Sequence, residues 1–221
     1  RLSDPTRAAQ QQAYMKSAMP YAGLTAPVLR QLCRDVFKAH PIDKSAHWYG
    51  CARTLWDDAR TREERYAAIE LLAVKRYRKL WYTPDSLPIY RHMIEAGAWW
   101  DYVDNIASNH VGALWLQFGP PIKRELTGWI NDPHLWIRRT AILAQLKHKD
   151  QTDLAFLHRA IQGSITDKDF FARKAIGWAL RAYSYTDPDW VSDYIDQHRT
   201  RLSPLSTREG MKAIVKKSAN S

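Results

Sequence analysis

The chain has 221 residues, 45% of them apolar and 25% charged, which is the composition of a folded globular protein and not of a disordered segment. No apolar run approaches the roughly 18 residues of a membrane span, and no signal peptide is legible in a chain that starts at Arg1. Thirty-three Lys and Arg against 23 Asp and Glu leave a formal charge of +10, which favours a polyanionic partner, nucleic acid first, over mere solubility charge or a membrane surface.

The periodic stretches run at about 3.6 residues and none alternates with period 2. Val28, Leu29, Leu32, Val36 and Phe37 mark one apolar helix face, opened by Pro27. Cys33 and Cys51 fall in predicted helices and read as small buried hydrophobes in a reducing compartment. Thr61 to Glu64 is a capping-box pattern ahead of Ala67, Ile69, Leu72 and Val74. Asp187-Pro188 reads as an N-cap and first helical position, and Ser206 with Glu209 repeats the capping box before Met211. About eleven or twelve helices of 10 to 20 residues are expected, with no linker dividing the single domain over residues 1–221.

The helices also repeat. Arg139-Thr140-Ala141-Ile142 and Arg173-Lys174-Ala175-Ile176 lie 34 residues apart, each followed by a leucine (Leu146, Leu180), and Arg65 to Ile69 is a third echo upstream. This predicts an all-α, HEAT-like helical-repeat solenoid, in which stacked helix pairs share one core and form a curved surface. A globular bundle is the alternative. Within the second helices Arg138, Arg139, Lys147, Arg173, Lys174 and Arg181 recur at similar positions, so stacking would align a basic stripe in a concave groove suited to phosphates. The absence of a helix-turn-helix or zinc-finger spacing points to backbone contacts over base readout.

For chemistry, the segment from Trp99 to Asp104 stands out. Trp100 and Asp104 are four apart and share a helix face, while Val103, Ile106 and Ala107 supply the core side. Lys174, Trp178 and Arg181 share another face. A carboxylate between indoles in a basic groove could favour the positive charge that develops on a sugar when an N-glycosidic bond breaks. The residues by themselves are a weak motif and favour a bland reading, with Asp104 capping or paired to an arginine and the tryptophans in the core. His110, His134, His148 and His158 are scattered without a ligand spacing, so no metal site is expected.

The segments Ala13 to Lys16, Trp99 to Asp104, Trp136 to Lys147, Lys174 to Arg181 and Pro204 to Glu209, taken in order, resemble the AlkD-like DNA glycosylases, HEAT-like proteins of bacterial alkylation repair. The resemblance covers nearly the whole chain. It implies a right-handed superhelix that holds duplex DNA in a concave basic groove. The implied activity is hydrolysis of the N-glycosidic bond of cationic N3- and N7-alkylated purines such as 3-methyladenine and 7-methylguanine. That reaction belongs to base excision repair and proceeds without metal, cofactor or strand incision. The lesion stays stacked, unlike the extruded base of most base-excising enzymes. Carried onto this sequence, the catalytic carboxylate is Asp104, with Trp100 and Trp178 as aromatic walls. Arg139 holds a phosphate and Tyr14 steadies the backbone near the lesion, with Arg138, Lys147, Arg173, Lys174 and Arg181 as further DNA contacts. The resemblance also implies a cytoplasmic bacterial monomer, on the nucleoid when bound, whose partner is duplex DNA containing alkylated purines. This chain departs from the pattern in a short stretch before Tyr14 and in the Met19 to Gly23 turn. The competing expectation is a non-enzymatic HEAT-repeat protein that binds bent, branched or damaged DNA.

Overall fold

The structure is a computed structural model and describes residues 3–218. Every regular element among them is helical, with fourteen α-helices and no strand. No described helix is long and apolar enough to cross a membrane. The contacts gather into two compact units that divide between Tyr82 and Thr83.

The N-terminal unit holds α1 (Pro5–Met15), α2 (Ala26–Ala39), α3 (Ser45–Asp57), α4 (Arg62–Leu72) and α5 (Lys75–Trp81). Asp4 caps α1 by accepting from the Arg7 amide at 3.0 Å, with Pro5 set at the first helical position. The capping box at Thr61 and Glu64 forms as the sequence predicts. Trp48, Ala52 and Trp56 of α3 are fully buried, and α3 packs on α4, whose Ala68, Ile69 and Leu72 are buried as well. The Trp48 indole N–H donates to the Leu71 carbonyl at 3.0 Å, so this large core residue leaves no polar atom unpaired. The loop before α2 is tied down by Glu63, whose carboxylate accepts from the amides of Ala22, Gly23 and Leu24.

Two expectations fail in this unit. The helix α2 buries Leu29 and Cys33, but Val28, Leu32 and Val36 stay exposed, so its buried stripe is narrower than the apolar pattern suggests. Cys51 is exposed on α3, while only Cys33 is buried.

The C-terminal unit begins with α6 (Leu87–Gly97) and α7 (Trp100–Asn105). The latter continues without a break through a π-helical turn at Ile106–Val111 into α8 (Gly112–Phe118). Beyond it come α9 (Pro120–Trp129), α10 (Leu135–Leu143), α11 (Leu154–Gln162), α12 (Phe170–Tyr183), α13 (Pro188–Gln197) and α14 (Pro204–Ser218). Their packing is that of stacked helices: α9 and α11 pack on α10, α13 packs on α12 and α14, and α7, α10, α12 and α14 touch in order as one row. Two of these row helices, α10 and α12, carry the 34-residue repeat.

Glycine permits the closest approaches in this row. A Cβ on Gly177 would lie 2.5 Å from the Glu209 Cβ and 2.9 Å from the Ser206 carbonyl oxygen, so α12 and α14 meet backbone to backbone there. At Gly112 it would lie 2.1 Å from the Ala144 carbonyl oxygen. The Gly112 carbonyl in turn accepts from the His148 ring at 3.0 Å, and burial holds that imidazole below its ordinary pKa, in the neutral form.

The expected count of eleven or twelve longer helices is too low, because proline, glycine and the π-turn divide several periodic stretches into helices of six to nine residues. The second predicted capping box also fails. The helix α14 begins at Pro204, and the Ser203 hydroxyl accepts from the Ser206 amide at 3.0 Å, leaving Ser206 and Glu209 inside the helix with other partners.

Candidate active site: a buried carboxylate-guanidinium pair beside an indole

Asp104 sits in the last turn of α7, immediately before the π-turn. Val103, Ile106 and Ala107 are fully buried as their spacing predicts, and α7 packs against α10. The extra residue of a π-turn rotates the helix on its C-terminal side relative to the helix on its N-terminal side, and such turns recur where a side chain must be aimed. Here it lets the helix keep its core contacts on both sides while Asp104 faces Arg139.

The two side chains form a bidentate pair. Arg139 Nε donates to Asp104 Oδ1 at 2.8 Å and Nη2 donates to Oδ2 at 2.8 Å. The third guanidinium nitrogen, Nη1, donates to the Phe171 carbonyl of α12. Arg139 is 1% exposed, whereas the Asp104 side chain keeps 18%. Burial pushes the Asp104 carboxyl above its ordinary pKa of 3.8, and the hydrogen bonds and charge of Arg139 oppose that push without cancelling it.

Aromatic rings enclose the guanidinium. Its carbon lies 5.4 Å from the centroid of the Trp178 ring, 5.9 Å from Phe171 and 6.0 Å from Trp136. Trp178 is partly exposed on α12, and Lys174 and Arg181 approach its ring at 5.8 and 5.9 Å. Both of those cations are held by one carboxylate of α14: Lys174 Nζ lies 2.7 Å from Glu209 Oε1, and Arg181 Nη1 lies 3.0 Å from Oε2. Glu209 is nearly buried, and the lysine beside it keeps its carboxyl below the usual range. Expected from the sequence to be a capping residue, it is instead the anion that spaces two cations about the indole.

The remaining candidates divide into groups. Trp100 opens α7 and stands one turn before Asp104, partly exposed on the same face. Arg138 and Arg173 converge on Asp167 in the loop before α12, with Arg138 Nη2 at 2.8 Å from its carboxylate and Arg173 Nε donating to its carbonyl at 2.9 Å. Much of their charge is thus spent within the fold. Lys147 is exposed and donates to the Asn109 side chain. Tyr14 lies on α1 in the N-terminal unit and is 76% exposed.

A groove of about 540 Å³ opens beside Trp178, lined by Lys147, Arg181, Lys212 and Lys216, with Ser108 at one wall. Tyr185, 78% exposed, stands at its edge. The sequence reading missed Lys212, Lys216 and Tyr185. The two lysines are four apart on α14, a signal present in the chain, but nothing in it reveals that α14 packs on α12.

A family model described as DNA alkylation repair enzyme matches residues 1–214. The chain belongs to the DNA alkylation repair enzyme family. Among solved structures it is similar to a predicted DNA alkylation repair enzyme from Enterococcus faecalis, at 31% sequence identity and a TM-score of 0.82 over 95% of each chain. No curated protein matches it. The family places the chain among enzymes of alkylation repair, and the all-helical stacked architecture agrees with the HEAT-like solenoid that the repeats predict.

Proposed function

We propose that the protein is a monofunctional DNA glycosylase that hydrolyses the N-glycosidic bond of cationic N3- and N7-alkylated purines in duplex DNA. The observation that carries this reading is the Asp104-Arg139 pair set against Trp178, in a chain of the alkylation repair family.

The chemistry follows from the charges. An alkylated purine carries a positive charge, so when the bond from C1′ to the base nitrogen breaks, its electron pair neutralises the base, which leaves uncharged. The deoxyribose becomes an oxocarbenium ion. A carboxylate next to it lowers the barrier by favouring that developing charge, and it can accept a proton from the water that adds to C1′. Asp104 has the needed properties. Its oxygens are fixed in direction by two donors of Arg139, and the side chain keeps 18% of its surface exposed. The products are free alkylpurine and an abasic site, and the strand stays intact.

Arg139 is best assigned to positioning. Three of its nitrogens are engaged inside the protein and its side chain is 1% exposed, so its first task is to hold Asp104. The indoles of Trp100 and Trp178 offer electron-rich faces to a cationic lesion and its sugar. Lys147, Lys212 and Lys216 in the neighbouring groove are cations placed to meet phosphates. A carboxylate on a helix face serves a base that remains stacked, because the reacting carbon belongs to the backbone and is reached without extruding the base.

The test is release of 7-methylguanine and 3-methyladenine from methylated duplex DNA by the parent and by Asp104→Asn. The expected result is release by the parent and a loss of at least a hundredfold in the variant, with duplex affinity retained. Equal release by both would remove Asp104 from the chemistry. No release by either would favour a protein that binds damaged DNA without acting on it.

A further inference from the structure

The N-terminal unit contains a second concentration of charge that the proposed glycosylase chemistry does not use. Between α2, α4 and α5 lies a cavity of about 440 Å³. Arg34 and Lys38 of α2 and Lys75 and Arg76 of α5 stand on its rim, all four exposed. Glu70 is the one carboxylate among the described lining residues, and it is committed to Arg30 at 3.2 Å. The rim cations therefore face no acid of their own across the cavity among the described residues; Arg34 has only the neutral Gln31 side chain, at 2.5 Å.

The interior is of a different kind. Phe37, Ala73 and Val74 form an apolar wall, and Tyr77 backs it rigidly. The Tyr77 ring stacks on Trp81 at 5.3 Å and its hydroxyl accepts from the Ile42 amide at 2.8 Å. Cys33, also in the lining, is buried, and its thiol is pushed up to about 11, so at neutral pH it adds no negative charge to the cavity. A bare phosphate would leave most of this volume empty, since it falls in the size range of sites for small organic ligands. The match is to a ligand with an anionic end for the rim and a flat apolar body for the wall.

We propose that this cavity binds a nucleotide through its phosphate ester, with Arg34, Lys38, Lys75 and Arg76 on the phosphate and Phe37 against the base. The nucleotide comes either free from solution or as one residue of a DNA strand. The proposal stands apart from the role of Asp104, and Asp104→Asn leaves it untouched.

The experiment is calorimetric titration of the full chain with deoxyguanosine 5′-monophosphate and with deoxyguanosine, alongside duplex affinity as a function of salt. Each is repeated on the double variant Lys38→Glu, Arg76→Glu, whose folding is checked by circular dichroism. If the source is free nucleotide, the monophosphate binds at one site, deoxyguanosine binds at least tenfold more weakly, and the double variant loses at least tenfold while its duplex affinity stays that of the parent. If the source is DNA, the double variant loses duplex affinity and its salt slope falls by about 0.9 for each phosphate it no longer neutralises. Lys212→Glu, in the C-terminal groove, leaves monophosphate binding unchanged in either case. Loss of monophosphate binding in that variant instead, or unchanged nucleotide and duplex affinities in the double variant, would overturn the proposal.

Discussion

Asp104 and Arg139 are each ambiguous alone: a helical aspartate is commonly a surface charge, and an arginine in a basic repeat is commonly a phosphate contact. Their pairing changes both. A guanidinium that is 1% exposed cannot reach far for a ligand, but it can hold a carboxylate in one orientation with two parallel hydrogen bonds. Because burial raises the Asp104 pKa above 3.8, the ionised form is lost at a higher pH than for an exposed aspartate. The proposed chemistry needs that ionised form. Single-turnover release of alkylpurine is therefore expected to fall as pH drops through a midpoint above 3.8, and Asp104→Asn is expected to lack that limb. Unfolding at this group would not produce the limb. A raised carboxyl pKa means the folded state binds the proton more tightly, so the contribution of Asp104 to stability is full below 3.8 and is lost as pH rises through the folded value. A pH-independent rate between 3.8 and neutrality would show that Asp104 acts in some way other than through its charge.

Among the elements, the continuous run of α7, the π-turn and α8 does most to place the site. It must bury Val103, Ile106 and Ala107, aim Asp104 at α10 and then bring Gly112 against the end of α10. Gly112→Ala would put a methyl carbon 2.1 Å from the Ala144 carbonyl oxygen, a backbone atom that cannot move without moving the helix. The expected cost is about 3 kcal/mol, the upper part of the range for overpacking. It would be read as a lower urea midpoint at unchanged slope. A shift within experimental error would mean that the α8–α10 contact relaxes freely. Gly177 has the matching role where α12 meets α14, and it lets Glu209 come close enough to hold Lys174 and Arg181 beside Trp178.

For the molecule as a whole, a formal charge of +10 says that a polyanion is favoured, but it does not say which cations meet it. In the C-terminal unit Arg138 and Arg139 are engaged with aspartates, and Lys174 and Arg181 share Glu209. Lys147 has only a neutral partner and faces the groove beside Trp178. For undamaged duplex, Lys147→Ala is expected to weaken binding and to lower the slope of log affinity against log salt by up to about 0.9, the value for one phosphate. Arg139→Ala is expected to leave that slope unchanged even though it disturbs Asp104. The opposite pattern would return Arg139 to the role of phosphate grip and take it from Lys147.

The sequence by itself determined the helical class, the repeat and the buried face at Val103, Ile106 and Ala107, though not that of α2, because these depend on neighbours three or four residues apart and on capping groups such as Thr61 and Asp187. It also carried the ordered motifs that resemble the alkylation repair family, and with them the choice of Asp104, Trp100 and Trp178. What it could not carry were distances between residues far apart in the chain. That Asp104 meets Arg139 35 positions later, that Glu209 serves two cations of α12 instead of capping its own helix, and that Lys212 and Lys216 share a groove with Trp178 were decided by tertiary packing alone. The basic face read from repeat spacing was a sum of charges. Packing sorted that sum into cations paired within the fold and cations left to face a ligand, because a buried charge must find its counter-charge in the protein while an exposed one can wait for a partner.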